Sequence, residues 1–203
     1  MVRKKTTLMM LKESERETRK KLIIESSIFL FAKKSFDTVS MRDIAMVAGI
    51  SPASIYRYFE DKDELFVEAF SYKAEEICGN LEKMFDENKN MTLADIAVNF
   101  VDYLFEHDSF FQMMTHFMTS GTIKDISLER FNETERYLLD LFDKYFKKMG
   151  VTQNLRLLSH AFFAALNGVM ITFSRYPGRD KEEIRRHINR LAALLADVFS
   201  CVV

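Results

Sequence analysis

The stretch from Ser40 to Phe59 constrains the fold of this chain more than any other. Ser40 precedes Asp43 by three residues, the spacing at which a hydroxyl caps a helix start and a carboxylate reaches back to the cap. Ile44, Ala45 and Ala48 then make a short apolar face. Gly49 follows where a helix ends in the left-handed conformation. Ser51-Pro52 restarts the chain, with the hydroxyl at the N-cap and Pro at the first helical position. Two short helices, about 41–48 and 52–59, are thus separated by only three residues, which is the helix-turn-helix pattern.

The rest of the chain reads as longer helices. Six Gly and two Pro in 203 residues argue against sheets built on tight turns, and no alternating strand pattern or internal repeat is present. Residues 1–16 lack an apolar stripe and are expected to form a flexible basic arm. A helical period starts near Glu17, places Ile23, Ser27, Leu30 and Phe31 on one face, and ends near Ser35. Asp61 with Glu64 opens a helix from about Lys62 to Phe85, closed by the polar break at 86–90. Helices are then expected at about 92–106, 108–118, 127–148, 153–174 and 181–199, with a loop at 119–122, Gly150 after the third of these, and Pro177-Gly178-Arg179-Asp180 between the last two. The fold class is all-α: a three-helix head at 17–62 on a helical body at 63–203.

Charge divides along the same line. Residues 1–62 hold 13 Lys and Arg against 8 Asp and Glu, whereas the remainder holds 16 against 22. A basic head on an acidic body suits a head that meets a polyanion. Cys78 and Cys201 match no metal or redox spacing. No apolar run is expected to reach the roughly 20 residues that cross a bilayer, and the basic N-terminus is not followed by a signal region. The chain is expected to be cytoplasmic, without cofactor, metal or membrane partner. Catalysis is not expected either: there is no Gly-rich phosphate loop and no Gly-x-Ser-x-Gly, and His107, His116, His160 and His187 are scattered.

The run from Ile23 to Phe66 strongly resembles the DNA-binding domain of the TetR family of bacterial transcriptional regulators. The residues carrying the likeness are Ile23-Ile24, Ser26-Ser27, Leu30-Phe31, Ser35-Phe36, Ser40, Ile44-Ala45, Ala48-Gly49-Ile50-Ser51, Tyr56-Arg57-Tyr58-Phe59 and Lys62-Asp63-Glu64-Leu65. Ser35 departs from the family's usual Gly, and Ser26-Ser27 from its usual Ala pair. Beyond Phe66 the likeness is one of length, helical layout and the Gly168-containing penultimate helix.

The second short helix would present its start to base edges in a major groove. Pro52 and Ala53 suit a thymine methyl, Ser54 a phosphate or base edge, and Arg57 a guanine. The resemblance implies phosphate contacts for Tyr56, Tyr58 and Lys62, and phosphate or base contacts for Ser40 and Arg42.

It also implies a homodimer through the last two helices, on double-stranded DNA with two half-sites. Ile184, Ile188, Leu191, Leu195 and Val198 line one face there, and Leu155, Leu158, Phe162, Leu166 and Val169 another. For the body it implies a pocket for an apolar small-molecule effector. Phe100, Tyr103, Phe110, Phe111, Met114, Phe117, Tyr137, Phe142, Phe162 and Met170 are its expected apolar lining, with His116 and Asn167 to orient the ligand. The function expected is a repressor released by that ligand; the alternative is a DNA-binding regulator controlled by a protein partner.

Overall fold

The computed structural model describes residues 7–88, 91–120 and 125–202, and every element of regular structure among them is helical apart from turns. Helix α1 runs Thr7–Phe31 and is followed by a single 3-10 turn at Phe36–Thr38. Next come α2 (Met41–Val47), α3 (Pro52–Ile55), α4 (Lys62–Glu87), α5 (Leu93–Glu106) and α6 (Asp108–Ser120). The chain closes with α7 (Asp125–Lys148), α8 (Leu155–Phe173) and α9 (Lys181–Val202). Arg3, Lys4 and Lys5 of the expected arm lie outside the described residues. So do Gly121 and Thr122 of the expected loop and Lys89 and Asn90 of the polar break.

Local chemistry sets most boundaries. The amide of Asp43 donates to Ser40 Oγ at 3.1 Å while the Ser40 amide donates to Asp43 Oδ2 at 2.9 Å. Thr92 and Asp95 repeat this box at the start of α5, and Asp180 with Glu183 does so at α9. Asp61 caps α4 by accepting from the Glu64 amide at 2.9 Å. Gly150, at φ +95°, stops α7, and Asn154 in the left-handed region (φ +52°) delays α8 to Leu155.

Helix α1 differs most from expectation. It begins at Thr7, inside the span expected to be a flexible arm, and ends at Phe31, before Ser35. Residues 9–19 are exposed, so no core holds them in place. Their helix is supported locally by the Arg19–Glu15 pair at 2.7 Å. Helix α3 is also shorter than expected. Past Ile55 the chain continues in tighter turns, with the amides of Arg57 and Tyr58 donating to the carbonyls of Ser54 and Ile55.

In the body, α4 packs along α7 and α5 along α9, with α8 against α7 and α9. Arg185 of α9 grips Asp102 of α5 through two hydrogen bonds of 2.9 and 3.1 Å, and Asn189 adds a third at 2.9 Å. Helix α8 corrects one expectation: at 19 residues and mean hydropathy 1.3 it is long and apolar enough to cross a membrane by length and composition. Its apolarity has two sources within the fold. Ser159, Phe162, Phe163, Leu166, Asn167, Val169 and Met170 face the core, while Leu157 and Ile171 stand 69% and 53% exposed on the opposite side.

That outer side also revises the expected pairing surface. Phe162, Leu166, Val169, Ile184 and Ile188 are buried within the protomer. The apolar stripe left uncovered is Leu157, Ala161, Ala164, Gly168 and Ile171 on α8, with Leu194 and Val198 on α9. Two apolar periods therefore share each helix; the expected residues fall mostly on the inner one, with Val198 on the outer.

Candidate nucleic-acid interface

The head is a small helical cluster closed by apolar side chains from each element. Ile23 and Ser27 of α1, Ile44 and Ala45 of α2, Ile55 of α3, Phe59 and Leu65 are all within 1% of full burial. Such a core fixes α2 and α3 relative to each other. The two serines that replace the usual Ala pair fit because their hydroxyls stay within α1: Ser26 Oγ donates to the Leu22 carbonyl and Ser27 Oγ to the Ile24 carbonyl, each at 2.7 Å. Ser35 sits at φ −61°, ψ 150°, open to any residue, so the turn does not require Gly there. Gly49, at φ +67°, does occupy a left-handed position, and it reverses the chain between α2 and α3.

The outer face of this core carries most of the expected DNA contacts. Arg42, Pro52, Ala53 and Arg57 are exposed, Tyr56 is 57% exposed, and Ser54 and Tyr58 are half-buried. Ser51 caps α3 by accepting from the Ser54 amide at 3.2 Å, and the two hydroxyls lie 2.8 Å apart. Pro52 and Ala53 thus form the exposed first turn of a short helix whose side chains are too small to hold a surface away.

Two expected contacts are engaged inside the protein. Ser40 Oγ donates to Asp43 Oδ2 at 2.5 Å while accepting from the Asp43 amide. Those bonds hold the Asp43 carboxyl below its usual pKa range. Lys62 Nζ donates to the Phe36 carbonyl at 2.7 Å and lies 4.1 Å from the centre of the Phe36 ring. It therefore joins the start of α4 to the turn after α1. Sequence spacing could suggest the lysine, but not a partner 26 residues away.

The expected ligand-binding residues do not gather around one opening. Phe110 and Phe117 belong to an aromatic cluster with Phe70 and Phe131, in which Phe70 and Phe110 stack at 5.0 Å. Phe100, Phe142 and Phe162 belong to another, with contacts of 5.4 to 5.6 Å. Phe111, Met114 and Met170 are buried, and Asn167 is buried with its Nδ2 donating to the Phe163 carbonyl at 2.9 Å. Tyr103 stacks on His107 at 3.9 Å, and burial pushes its phenol pKa up. Tyr137 stands on the exterior, 36% exposed, with its hydroxyl 3.3 Å from Glu82. His116 lines a cleft of about 420 Å³ between head and body, together with Phe36, Phe66 and Arg175.

A capped short helix, a left-handed Gly turn and a second short helix with an open outer face define a helix-turn-helix DNA-binding head carried on a helical body. Residues 23–69 match the family described as bacterial regulatory proteins, tetR family. That match covers the head of this chain. Over 52 residues it is 46% identical to a helix-turn-helix-type transcriptional regulator of Haemophilus influenzae; the match spans 26% of this chain and a quarter of that protein's length.

Solved structures share the fold along most of the chain. The fatty acid degradation regulator FadR of Bacillus halodurans is 16% identical with a TM-score of 0.71, over 88% of this chain and 94% of its own. FadR of Bacillus subtilis, solved in complex with stearoyl-CoA, is 17% identical with a TM-score of 0.69, over 86% and 96%. A tetR-family transcriptional regulator of Streptomyces coelicolor is 18% identical with a TM-score of 0.67, over 92% and 84%.

Proposed function

We propose that this chain is a transcriptional regulator and not an enzyme. In this reading it is a repressor that binds a two-half-site operator as a homodimer and leaves it when an apolar small molecule enters the body. The observation that carries the reading is the open first turn of α3, Pro52-Ala53-Ser54, beside exposed Arg42, Tyr56 and Arg57 on a basic head. Small residues at that turn let the backbone approach base edges, and the larger ones flank it at reach of phosphates.

Dimerisation is supported by the uncovered stripe on α8 and α9. Leu157, Ile171, Leu194 and Val198 are each more than half exposed, and Ala161, Ala164 and Gly168 between them leave room for close helix packing. Apolar surface of this extent is costly in water and is covered when a second copy packs its own α8 and α9 against it. The Bacillus subtilis relative solved with stearoyl-CoA supports including long acyl thioesters among candidate effectors.

A second reading is favoured by the packing of the body. Most of the expected lining residues, Tyr137 and His116 apart, pack into the interior against one another, which fits a regulator controlled by a protein partner. The two readings separate in a binding titration on DNA from upstream of the chain's own gene, with and without apolar compounds and acyl-CoAs. Tight, salt-sensitive binding released by one compound supports the ligand-controlled repressor. Binding that no compound disturbs supports the partner-controlled regulator.

A further inference from the structure

Lys12, Arg16 and Arg19 recur at i, i+4 and i+7 and share one face of the exposed first half of α1. Across from them stand Arg57 and Tyr58, in the turns that extend α3. With Glu15, these side chains line one cleft of about 380 Å³. Four cations face a single carboxylate there, and that carboxylate is held by Arg19 at 2.7 Å. Among the described residues no ion pair engages Lys12, Arg16 or Arg57. The neighbouring face of α1 is different: Lys20 pairs with Glu68 at 2.8 Å and Lys21 with Glu25 at 3.8 Å. Along α1, positive charge is therefore left unneutralised where the helix borders α3.

We propose that this cleft is a second DNA site, which holds backbone phosphate beside the groove that α3 enters. The inference rests on the reading of the head as DNA-binding and extends its footprint to the first half of α1. The occupant follows from charge and continuity. Arg57 and Tyr58 line the cleft and follow α3 directly in the chain, so a duplex on the outer face of α3 passes the cleft. Arg16, Arg57 and Lys12 present guanidinium and ammonium donors suited to phosphate oxygens, and Arg forms the paired N–H bonds that phosphate geometry favours. Such bonds set register and affinity and carry no base preference.

The test uses the full-length protein and a duplex of about 30 base pairs selected by the wild type from a random library, long enough for two half-sites one turn apart. The variants are Lys12→Gln/Arg16→Gln and Arg16→Lys. The double variant is expected to lower the slope of log affinity against log salt by about one unit for each phosphate it no longer neutralises. It should weaken every single-base variant of the duplex by the same factor and leave the thermal midpoint unchanged. Arg16→Lys should keep the wild-type slope. A double variant with wild-type affinity and slope overturns the proposal, as does a loss that depends on base sequence. If the wild type selects no duplex, the DNA reading fails and the second site fails with it.

Discussion

The ring of Phe36, in the turn after α1, packs against the imidazole of His116 on α6 with centroids 4.6 Å apart. Phe66 of α4 completes the cluster, 4.6 Å from Phe36 and 5.3 Å from His116, and reaches Phe31 at 4.8 Å and Phe117 at 4.7 Å. Head and body therefore meet through one aromatic cluster centred on α4. A shift of α6 has a direct route to the turn that precedes α2.

His116 makes the junction sensitive to acid. Burial lowers its pKa, Lys62 acts in the same direction, and Asp37 and Asp63 oppose them. The folded protein thus favours the neutral ring, and on acidification the unfolded chain binds this proton first. The contribution is full above about pH 6.5 and is lost as pH falls through the lower folded pKa. His116→Phe should flatten the dependence of unfolding free energy on pH below about pH 6.5. Urea titrations at several pH values would show it; an unchanged slope would mean that His116 does not titrate differently on folding.

Phe66 is 2% exposed at the centre of that cluster. Phe66→Ala should cost about 3 to 5 kcal/mol, from reduced burial and the cavity left behind. Phe66→Leu should cost less because most of the volume remains. Denaturant midpoints of both variants measure the difference, and a loss below about 1 kcal/mol for the alanine variant would show that the junction is loosely packed.

Lys62 should have two effects where a simple phosphate contact would have one. Lys62→Met removes a charged hydrogen bond to the Phe36 carbonyl, worth about 1.5 to 3 kcal/mol, and a cation–π interaction worth about 0.5 to 1 kcal/mol. Reduced stability together with weakened DNA binding is the expected outcome. Weakened binding at unchanged thermal midpoint would leave Lys62 a surface contact alone.

These cases show what is legible in the sequence. Caps announce themselves within three or four residues, so the starts of α2, α4, α5 and α9 follow from Ser40, Asp61, Thr92 and Asp180. The head follows from ordered local spacing around Gly49. Partners far apart in the chain leave no such trace: Lys62 with Phe36, Phe36 with His116, Arg185 with Asp102. The first half of α1 escapes a periodicity argument because it lacks an apolar stripe, although the Arg19–Glu15 pair supports a helix without one. In the body, a Phe- and Met-rich run reads alike whether it lines a cavity or fills a core.

The two cysteines should differ sharply in reactivity. Cys78 is buried, and burial with Glu82 and Glu75 nearby pushes its pKa up to about 12, whereas Cys201 is exposed at the end of α9. A thiol reagent at mild alkaline pH should label one thiol per native chain, at Cys201, and two after denaturation. Rapid labelling of Cys78 in the native protein would show that α4 opens from the body.

The central claim is that this head reads DNA sequence in pairs. Selection of random duplexes by the full-length protein, followed by sequencing of the bound fraction, tests it most directly. The account predicts an enriched inverted repeat whose halves lie about one helical turn apart, centre to centre, or a multiple of it. Recovery of duplexes with no common sequence, or of a single unpaired half-site, would contradict it.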